Sequence, residues 1–336
     1  KGMPDLNYAY EPLKQEIFAI GRFWLEELGI DGFRLDAARH IYFDSEAPKS
    51  HAWWQEFRSE MEKIKPDVYL VGEVWDRADR VAPYLNGLHA SFNFDLGKAI
   101  IKTLQDERDS IRLAFQLKQI RQMYDSINPT FLDATFITNH DQNRTISELD
   151  NSLEKAKMAA SVLLTLPGTP YIYYGEEIGM RGKKPDEQIR EPFLWEKDSE
   201  DQLRARWIEA QYSLDGEIMP LSEQQKEKAS LWQHYRDLIQ VRKEHPTISQ
   251  GTLIPVDTQN DKLIAYQVAG ASSTYFVIHN ISPEKVVYSL PNSSDKPRLI
   301  FGSEKLQILE KGKMELDPMN SLILIGEFPG KGPSPR

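Results

Sequence analysis

The chain has 336 residues, enough for one large domain and a smaller one. With 27% charged residues and a net charge of -10, it has the composition of a globular protein and is not expected to bind nucleic acid. It has no cysteine, which excludes disulfides and thiolate metal sites, and no apolar run nears the roughly 20 residues of a membrane span, so no membrane partner is expected.

From residue 12 to about residue 166 the sequence alternates between helix-like and strand-like segments. In the first helix, EPLKQEIFAIGRFWLEEL, apolar residues at helical spacing predict one buried face: Leu13, Ile17, Ile20, Trp24 and Leu28. Further helices are predicted at HAWWQEFRSEMEKIK, over residues 97–127, at LEKAKMAASVLLTL and at SLWQHYRDLIQVRKEH. Short strands are predicted at DGFRLD, VYLVGE, ASFNFD, ATFIT and TPYIYYG. This alternation predicts five parallel strands covered by helices.

After residue 246 the pattern changes to short β-rich runs: LIAYQVAG, STYFVIHN, KVVYSL and SLILIG. Turns rich in Ser, Pro and Asn separate them, which is typical of an antiparallel sandwich. We therefore expect an α/β domain over residues 1–246, a small antiparallel β-sandwich over 247–328 and a tail over 329–336.

Three carboxylates follow predicted strands. In FRLD, Arg34 and Asp36 are two apart and should be neighbours on one face, so the arginine should keep the aspartate ionised. Glu73 ends LVGE, and Asp141 lies in NHDQNR. Taken singly, each group also has a purely structural explanation. Arg34 and Asp36 could form a buried salt bridge, Glu73 could be an exposed acid at a strand end, and Asp141 could belong to a loop-stabilising set of hydrogen bonds.

Taken together, the three acids indicate a site. The carboxyl ends of parallel strands share one edge of the sheet, which in a (β/α)8 barrel carries the active site. Crowded carboxylates push at least one pKa upward, so a proton donor lies beside an ionised partner. Two carboxylates in unlike protonation states are what glycoside cleavage requires.

The ordered motifs MPDLN, GFRLDAARH, LVGEVW, FITNHDQNR and GTPYIYYGEEIGM resemble those of the α-amylase superfamily, family thirteen of the glycoside hydrolases. The resemblance covers nearly the whole chain. It implies a retaining mechanism in which Asp36 is the nucleophile, Glu73 the general acid and then base, and Asp141 the group that grips the sugar and stabilises the transition state. It also implies that Arg34 orients Asp36 and contributes to substrate binding.

Other substrate-binding positions are likewise implied by the resemblance. His140 would donate to hydroxyls of the cleaved sugar, and Arg39 would contact the sugar on the leaving side. Further substrate-binding residues would be His40, Trp75 and Asn139. The backbone carbonyl of His40 would also bind a structural calcium, whose remaining oxygen ligands come mainly from elsewhere. The loop IREPFLW is expected at the rim, where packing of its aromatics is favoured over sugar stacking.

The resemblance also marks a departure. The family has three barrel strands and an inserted domain before MPDLN, so the five strands would be the fourth to eighth of a TIM (β/α)8 barrel, and five cannot close it. A companion segment, cut off or encoded separately, is expected to complete the barrel. The expected activity is cleavage of α-1,4 bonds in starch, glycogen or malto-oligosaccharides. Cleavage of α-1,6 bonds, glucosyl transfer, a non-catalytic carbohydrate-binding or interaction protein, and an inactive fragment remain open.

Overall fold

A computed structural model of the chain describes residues 4–197, 201–202, 204–214, 216–290, 297–302 and 312–328. The chain divides into two compact units, one of residues 1–94 with 120–134 and the other of residues 95–119 with 135–336. The predicted tail, residues 329–336, lies outside the described residues. Within the described ranges, no helix is both long enough and apolar enough to cross a membrane.

The helices of the described residues are α1 (Glu11–Glu26), α2 (Ala47–Ile64), α3 (Ala78–Val81), α4 (Phe94–Asp106), α5 (Leu113–Ile127), α6 (Thr145–Glu148), α7 (Leu153–Thr165), α8 (Asp186–Ile189), α9 (Leu221–Gln224), α10 (Leu231–Glu244) and α11 (Thr247–Gln250). The strands are β1 (Gly32–Leu35), β2 (Tyr69–Gly72), β3 (Ala90–Phe92), β4 (Leu132–Thr135), β5 (Thr169–Pro170), β6 (Thr252–Pro255), β7 (Leu263–Ala269), β8 (Thr274–Asn280), β9 (Val286–Ser289), β10 (Arg298–Phe301), β11 (Lys313–Leu316) and β12 (Asn320–Ile325).

The predicted parallel strands are present and follow one another in the order β1-β2-β3-β4-β5. Strands β1 to β4 pair in parallel, with Gly32 opposite Tyr69 and Ala90 opposite Leu132. Strand β4 begins two residues earlier than the predicted ATFIT, and β5 keeps only the first two residues of TPYIYYG. Pro170 has no amide hydrogen to donate, which limits the ladder there.

The buried face of α1 differs from the prediction. The helix forms, but Ile20 is 46% exposed, Trp24 is 41% exposed, and Leu28 lies beyond the helix and is 55% exposed. The buried residues are Phe18, Gly21 and Leu25. Ile17 of the predicted face is partly buried and packs against the core of the first unit. Gly21 allows a close approach to α2, since an added Cβ would lie 2.4 Å from Sδ of Met61. The predicted helix α2 forms, and its buried residues include Trp53, Trp54, Phe57 and Met61.

The helical region predicted over residues 97–127 is two helices, α4 and α5. Glu107 and Arg112 both have a φ of 54°, in the left-handed region, which interrupts helical hydrogen bonding between them. The single long helix was therefore wrong at residues 107–112.

In the second unit, β6, β7, β8, β12 and β10 form an antiparallel sheet in the order β10-β12-β8-β7-β6, and β9 pairs with β11 in a separate ribbon. Along β7, Leu263 and Ala265 join one apolar cluster, and Ile264, Tyr266 and Val268 join another. Both faces of β7 are thus covered, which explains its continuous apolar sequence. The expected antiparallel β region is confirmed, while the short strands β6, β10 and β11 were missed because their runs are brief.

Candidate active site

A single arginine joins the two carboxylates that follow β1 and β2. Arg34 Nη1 lies 2.6 Å from Oδ1 of Asp36, and Nη2 lies 3.0 Å from Oε2 of Glu73. The contact between Arg34 and Asp36 is the one that the two-residue spacing predicts. The Asp36 side chain is 75% exposed, whereas that of Glu73 is 10% exposed. The two acids therefore share a cation but differ sharply in hydration.

Backbone bonds beyond the strand ends keep these acids in register. The amide of Glu73 donates to the carbonyl of Leu35, and the amide of Ala38 donates to the carbonyl of Glu73, both at 2.9 Å. Ala37 has a φ of 44°, and its amide donates to Glu73 Oε2 at 3.4 Å. A left-handed conformation is uncommon for a residue with a Cβ, and it is more frequent at functional sites.

The surroundings of Glu73 favour its neutral form. Burial raises the pKa of Glu73, and the neighbouring Asp36 adds to the rise through a side-chain hydrogen bond and charge repulsion. The amide of Ala37 and the charge of Arg34 act in the opposite direction without cancelling the shift. A buried carboxyl group with a raised pKa beside an exposed carboxyl group is the arrangement from which a general acid next to a nucleophile can be built.

Arg39 is held by two acids instead of projecting freely. Its guanidinium lies 2.7 Å from Oδ2 of Asp44 and 2.6 Å from Oδ2 of Asp76. The hydrogen bond to Asp44 is the main cause of a raised pKa at Arg39. Neither acid was singled out from the sequence, although Asp44 lies eight residues after Asp36 and Asp76 three residues after Glu73. The prediction that Arg39 contacts sugar remains untested.

His40 lines a cavity of about 770 Å³ in the first unit, together with Asn7, Tyr8, Tyr42 and Phe43. This volume is in the range of small-ligand sites. Asn7 belongs to the MPDLN motif, so this motif and the segment after Asp36 line the same cavity.

Trp75 is 41% exposed and packs one face on Phe94, with ring centroids 4.5 Å apart and planes at 13°. A ring fixed on one side and partly exposed is suited to stacking on a sugar. Phe94 was not singled out from the sequence.

A calcium site is not assembled by these residues alone. Among the described residues, no three His, Cys, Asp or Glu side chains come together in a way that could hold a metal ion. The His40 carbonyl is thus one candidate oxygen ligand, whereas calcium takes six to eight.

The third predicted carboxylate lies in the second unit, in the loop after β4. Asp141 Oδ2 lies 3.2 Å from Nε2 of His140, and its amide donates to Oδ1 of Asn139 at 2.9 Å. Arg190 contacts this loop twice, with Nη2 2.7 Å from Asp141 Oδ1 and Nε donating to the His140 carbonyl at 2.8 Å. Arg190 belongs to the loop predicted as a rim element, and sequence reasoning gave it no role.

A buried carboxylate supports the base of the same loop. Glu176 accepts hydrogen bonds from Thr145 Oγ1 at 2.8 Å and from Tyr235 Oη at 2.7 Å. Thr145 Oγ1 also lies 2.9 Å from Oγ1 of Thr138, the residue before Asn139. Burial raises the pKa of Glu176 to about 7. Asp36 and Glu73 belong to the first unit and Asp141 to the second, so the predicted meeting of all three acids stays a prediction.

Comparison with known proteins identifies the family. A parallel α/β sheet bearing paired carboxylates beyond its strand ends is the architecture expected of a glycosidase. The model of the alpha-amylase catalytic domain family matches residues 1–251. The chain therefore belongs to the alpha-amylase family, as its motifs predict.

Individual relatives agree with this assignment. The chain is 39% identical to "Alpha-amylase 3" of Dictyoglomus thermophilum over 323 residues, which is 96% of the chain and 63% of that protein. It is 30% identical to the "Maltogenic alpha-amylase" of Bacillus acidopullulyticus, covering 96% of the chain and 50% of that protein. An alpha-amylase structure from H.orenii superposes with a TM-score of 0.89 at 37% identity, over 97% of the chain and 67% of that structure. The chain thus spans less than two thirds of these two curated relatives.

Proposed function

We propose that the chain carries the catalytic residues of a retaining glycoside hydrolase that cleaves α-1,4-glucosidic bonds in starch, glycogen or malto-oligosaccharides. The observation that carries this proposal is the Arg34 guanidinium, which contacts both Asp36 and Glu73. Retaining enzymes hold their two carboxyl groups about 5–5.5 Å apart, whereas inverting enzymes leave roughly 6.5–9.5 Å for a water. One guanidinium contacting both groups favours the short separation.

In the proposed first step, an Asp36 oxygen bonds to the anomeric carbon and the bond from that carbon to the leaving oxygen breaks. The Glu73 proton passes to the leaving oxygen. In the second step Glu73, now ionised, takes a proton from water, whose oxygen attacks the anomeric carbon and frees Asp36. The exposed, arginine-paired Asp36 suits the nucleophile, and the buried Glu73 with its raised pKa suits the acid.

We assign Asp141 the third role, gripping sugar hydroxyls and stabilising the oxocarbenium-like transition state. His140 and Asn139 would bind hydroxyls of the cleaved sugar beside it. Support comes from the short loop that holds all three residues together.

On the leaving side, Arg39 and His40 would contact the displaced part of the glucan, and Trp75 would stack on it. The cavity beside His40 and the partly exposed, packed ring of Trp75 support this placement.

We further propose that β1 to β5 are the fourth to eighth strands of a (β/α)8 barrel and that a companion segment supplies the rest. The exposed apolar residues Ile20, Trp24 and Leu28 on and after α1 support this idea, since a neighbouring helix would cover them. The domain limits 1–246 and 247–328 remain part of the same proposal.

Structural calcium also remains a prediction. The His40 carbonyl would supply one calcium ligand, and the companion segment would supply others. The proposed reaction does not depend on the calcium ion.

The test is hydrolysis of starch and of a maltotriose-type oligosaccharide by an active preparation containing this chain, with proton NMR reading the anomer first formed. Glu73→Gln should lower turnover by about 10²–10⁴-fold, because the amide cannot protonate the leaving oxygen. Glu16→Gln, on the exposed side of α1, is the control. An inverted product would exclude the retaining mechanism, and normal turnover in Glu73→Gln would exclude Glu73 as the acid.

The same assay separates the alternatives. Release of glucose from isomaltose would favour α-1,6 cleavage, and longer products from a short oligosaccharide would favour transfer. Glucan binding without turnover would indicate a non-catalytic protein. Activity that appears only when a companion segment is added would indicate that the chain alone is an inactive fragment.

A further inference from the structure

Arg190 makes three polar contacts, two of them with the loop of Asp141. Its Nε donates to the backbone carbonyl of His140 at 2.8 Å, and its Nη2 lies 2.7 Å from Asp141 Oδ1. The same Nη2 lies 2.9 Å from Oδ2 of Asp186. One planar group therefore contacts both the backbone of the loop and its functional side chain.

The two oxygens of Asp141 are thereby assigned to different partners. Arg190 holds Oδ1, and Nε2 of His140 lies 3.2 Å from Oδ2. A carboxylate with both oxygens engaged has one preferred rotation. A lysine could contact either the His140 carbonyl or the Asp141 carboxylate. It lacks the planar guanidinium that contacts both at once.

Arg190 is itself anchored by contacts other than those with the Asp141 loop. Asp186 lies one turn earlier and pairs with the same guanidinium. The next residue, Glu191, is 0% exposed, and its carboxylate accepts the amides of Gln211, Tyr212 and Ser213 at 2.6, 3.0 and 2.8 Å. These bonds fix the backbone at Arg190, so Asp141 is held against a rigid support and not by a mobile surface arginine.

We propose that Arg190 is a positioning residue for Asp141, setting the orientation in which that carboxylate acts on the sugar. This inference rests on the proposed function. It concerns the orientation of Asp141, and a direct contact between Arg190 and the sugar is the competing explanation. Orientation affects the chemical step, whereas a uniform substrate contact affects binding alone.

The test compares Arg190→Met and Arg190→Lys with Arg236→Met, a matched change at an arginine that is 58% exposed and paired with Asp237. Turnover and KM on maltoheptaose are measured with and without millimolar guanidinium chloride, and crystal structures of the wild type and the Met variant are compared. Thermal melting confirms that each variant is folded.

We expect Arg190→Met to lower kcat by about 10²-fold with little change in KM, since a displacement of 1 Å can cost that much. Arg190→Lys should retain part of the activity, guanidinium should restore part of it in the Met variant, and Arg236→Met should behave as the wild type. A raised KM at unchanged kcat would overturn the inference in favour of a sugar contact.

A wild type that stays inactive even with the companion segment present would mean failure of the proposed function, and the crystal structures alone would then decide. A rotated Asp141 carboxylate in the Met variant would support the positioning role. An Asp141 side chain that keeps its wild-type rotamer would overturn it.

Discussion

Arg34 and Asp36 are joined by a short ion pair, with Nη1 2.6 Å from Oδ1. The other end of the same guanidinium reaches Glu73 at 3.0 Å. One cation thus contacts two acids whose exposure differs. Burial raises the pKa of Glu73, which favours the protonated form that a general acid needs.

Replacing Arg34 should change both the rate and the pH profile. The charge of Arg34 lowers the pKa of Glu73, so Arg34→Met should raise that pKa further and keep the acid protonated to higher pH. We expect the alkaline limb of kcat/KM to move upward in pH, and turnover to fall on the order of 10²-fold because Asp36 loses its orientation. A pH-rate profile on maltoheptaose measures both, with Arg22→Met on α1 as control. An alkaline limb that moves downward or stays in place would contradict this account.

Stability should depend on pH through Glu176. Burial raises its pKa to about 7 from an ordinary 4.5. Between these values the unfolded chain has lost a proton that the folded chain still holds, so stability falls as pH rises. Glu176→Gln, which mimics the neutral acid, should show a smaller fall in melting temperature between pH 5 and 7.5 than the wild type. The control is Glu16→Gln. An equal fall in melting temperature for the wild type, Glu176→Gln and Glu16→Gln would show that Glu176 does not titrate between pH 5 and 7.5.

The corrected face of α1 can be tested with one substitution at two positions. Leu25 is 5% exposed and Leu28 is 55% exposed. In the 336-residue chain, Leu25→Ala should lower the free energy of unfolding by about 2–5 kcal/mol. Leu28→Ala should change it by less than about 0.5 kcal/mol. Urea denaturation measures both, and a larger effect at Leu28 would restore the face predicted from the sequence.

Glu191 should hold the segment that carries Tyr212. Its carboxylate accepts hydrogen bonds from three backbone amides. In Glu191→Gln the side chain has one acceptor oxygen, and its NH₂ group would face backbone N–H groups that are themselves donors. We expect faster trypsin cleavage at Arg206 in this variant, followed by mass spectrometry of the fragments. Glu187→Gln, at an exposed position of α8, provides the comparison. Equal cleavage rates would show that other contacts hold the segment.

Several features of this protein follow from the sequence alone. The period of the apolar residues and the positions of Gly and Pro predicted the helices, the five parallel strands and the β-rich end, since local geometry reflects local pattern. The carboxylates after strand ends were also readable, because parallel strands bring those ends to one edge. Five ordered motifs were enough to indicate the family that the family model then showed.

Other features depend on which surfaces meet, and only the tertiary structure decided them. Gly21 lets α1 approach Met61 closely, and Ile20, Trp24 and Leu28 of the predicted face are exposed in this chain. Arg190 lies 49 residues from Asp141, and no local pattern connects them. Glu73 and Asp36 both follow strand ends in the sequence, but the Glu73 side chain is 10% exposed and that of Asp36 is 75% exposed, and burial is the main cause of the raised pKa of Glu73. Burial and long-range contacts arise when the chain packs, and for that reason spacing along the sequence does not specify them.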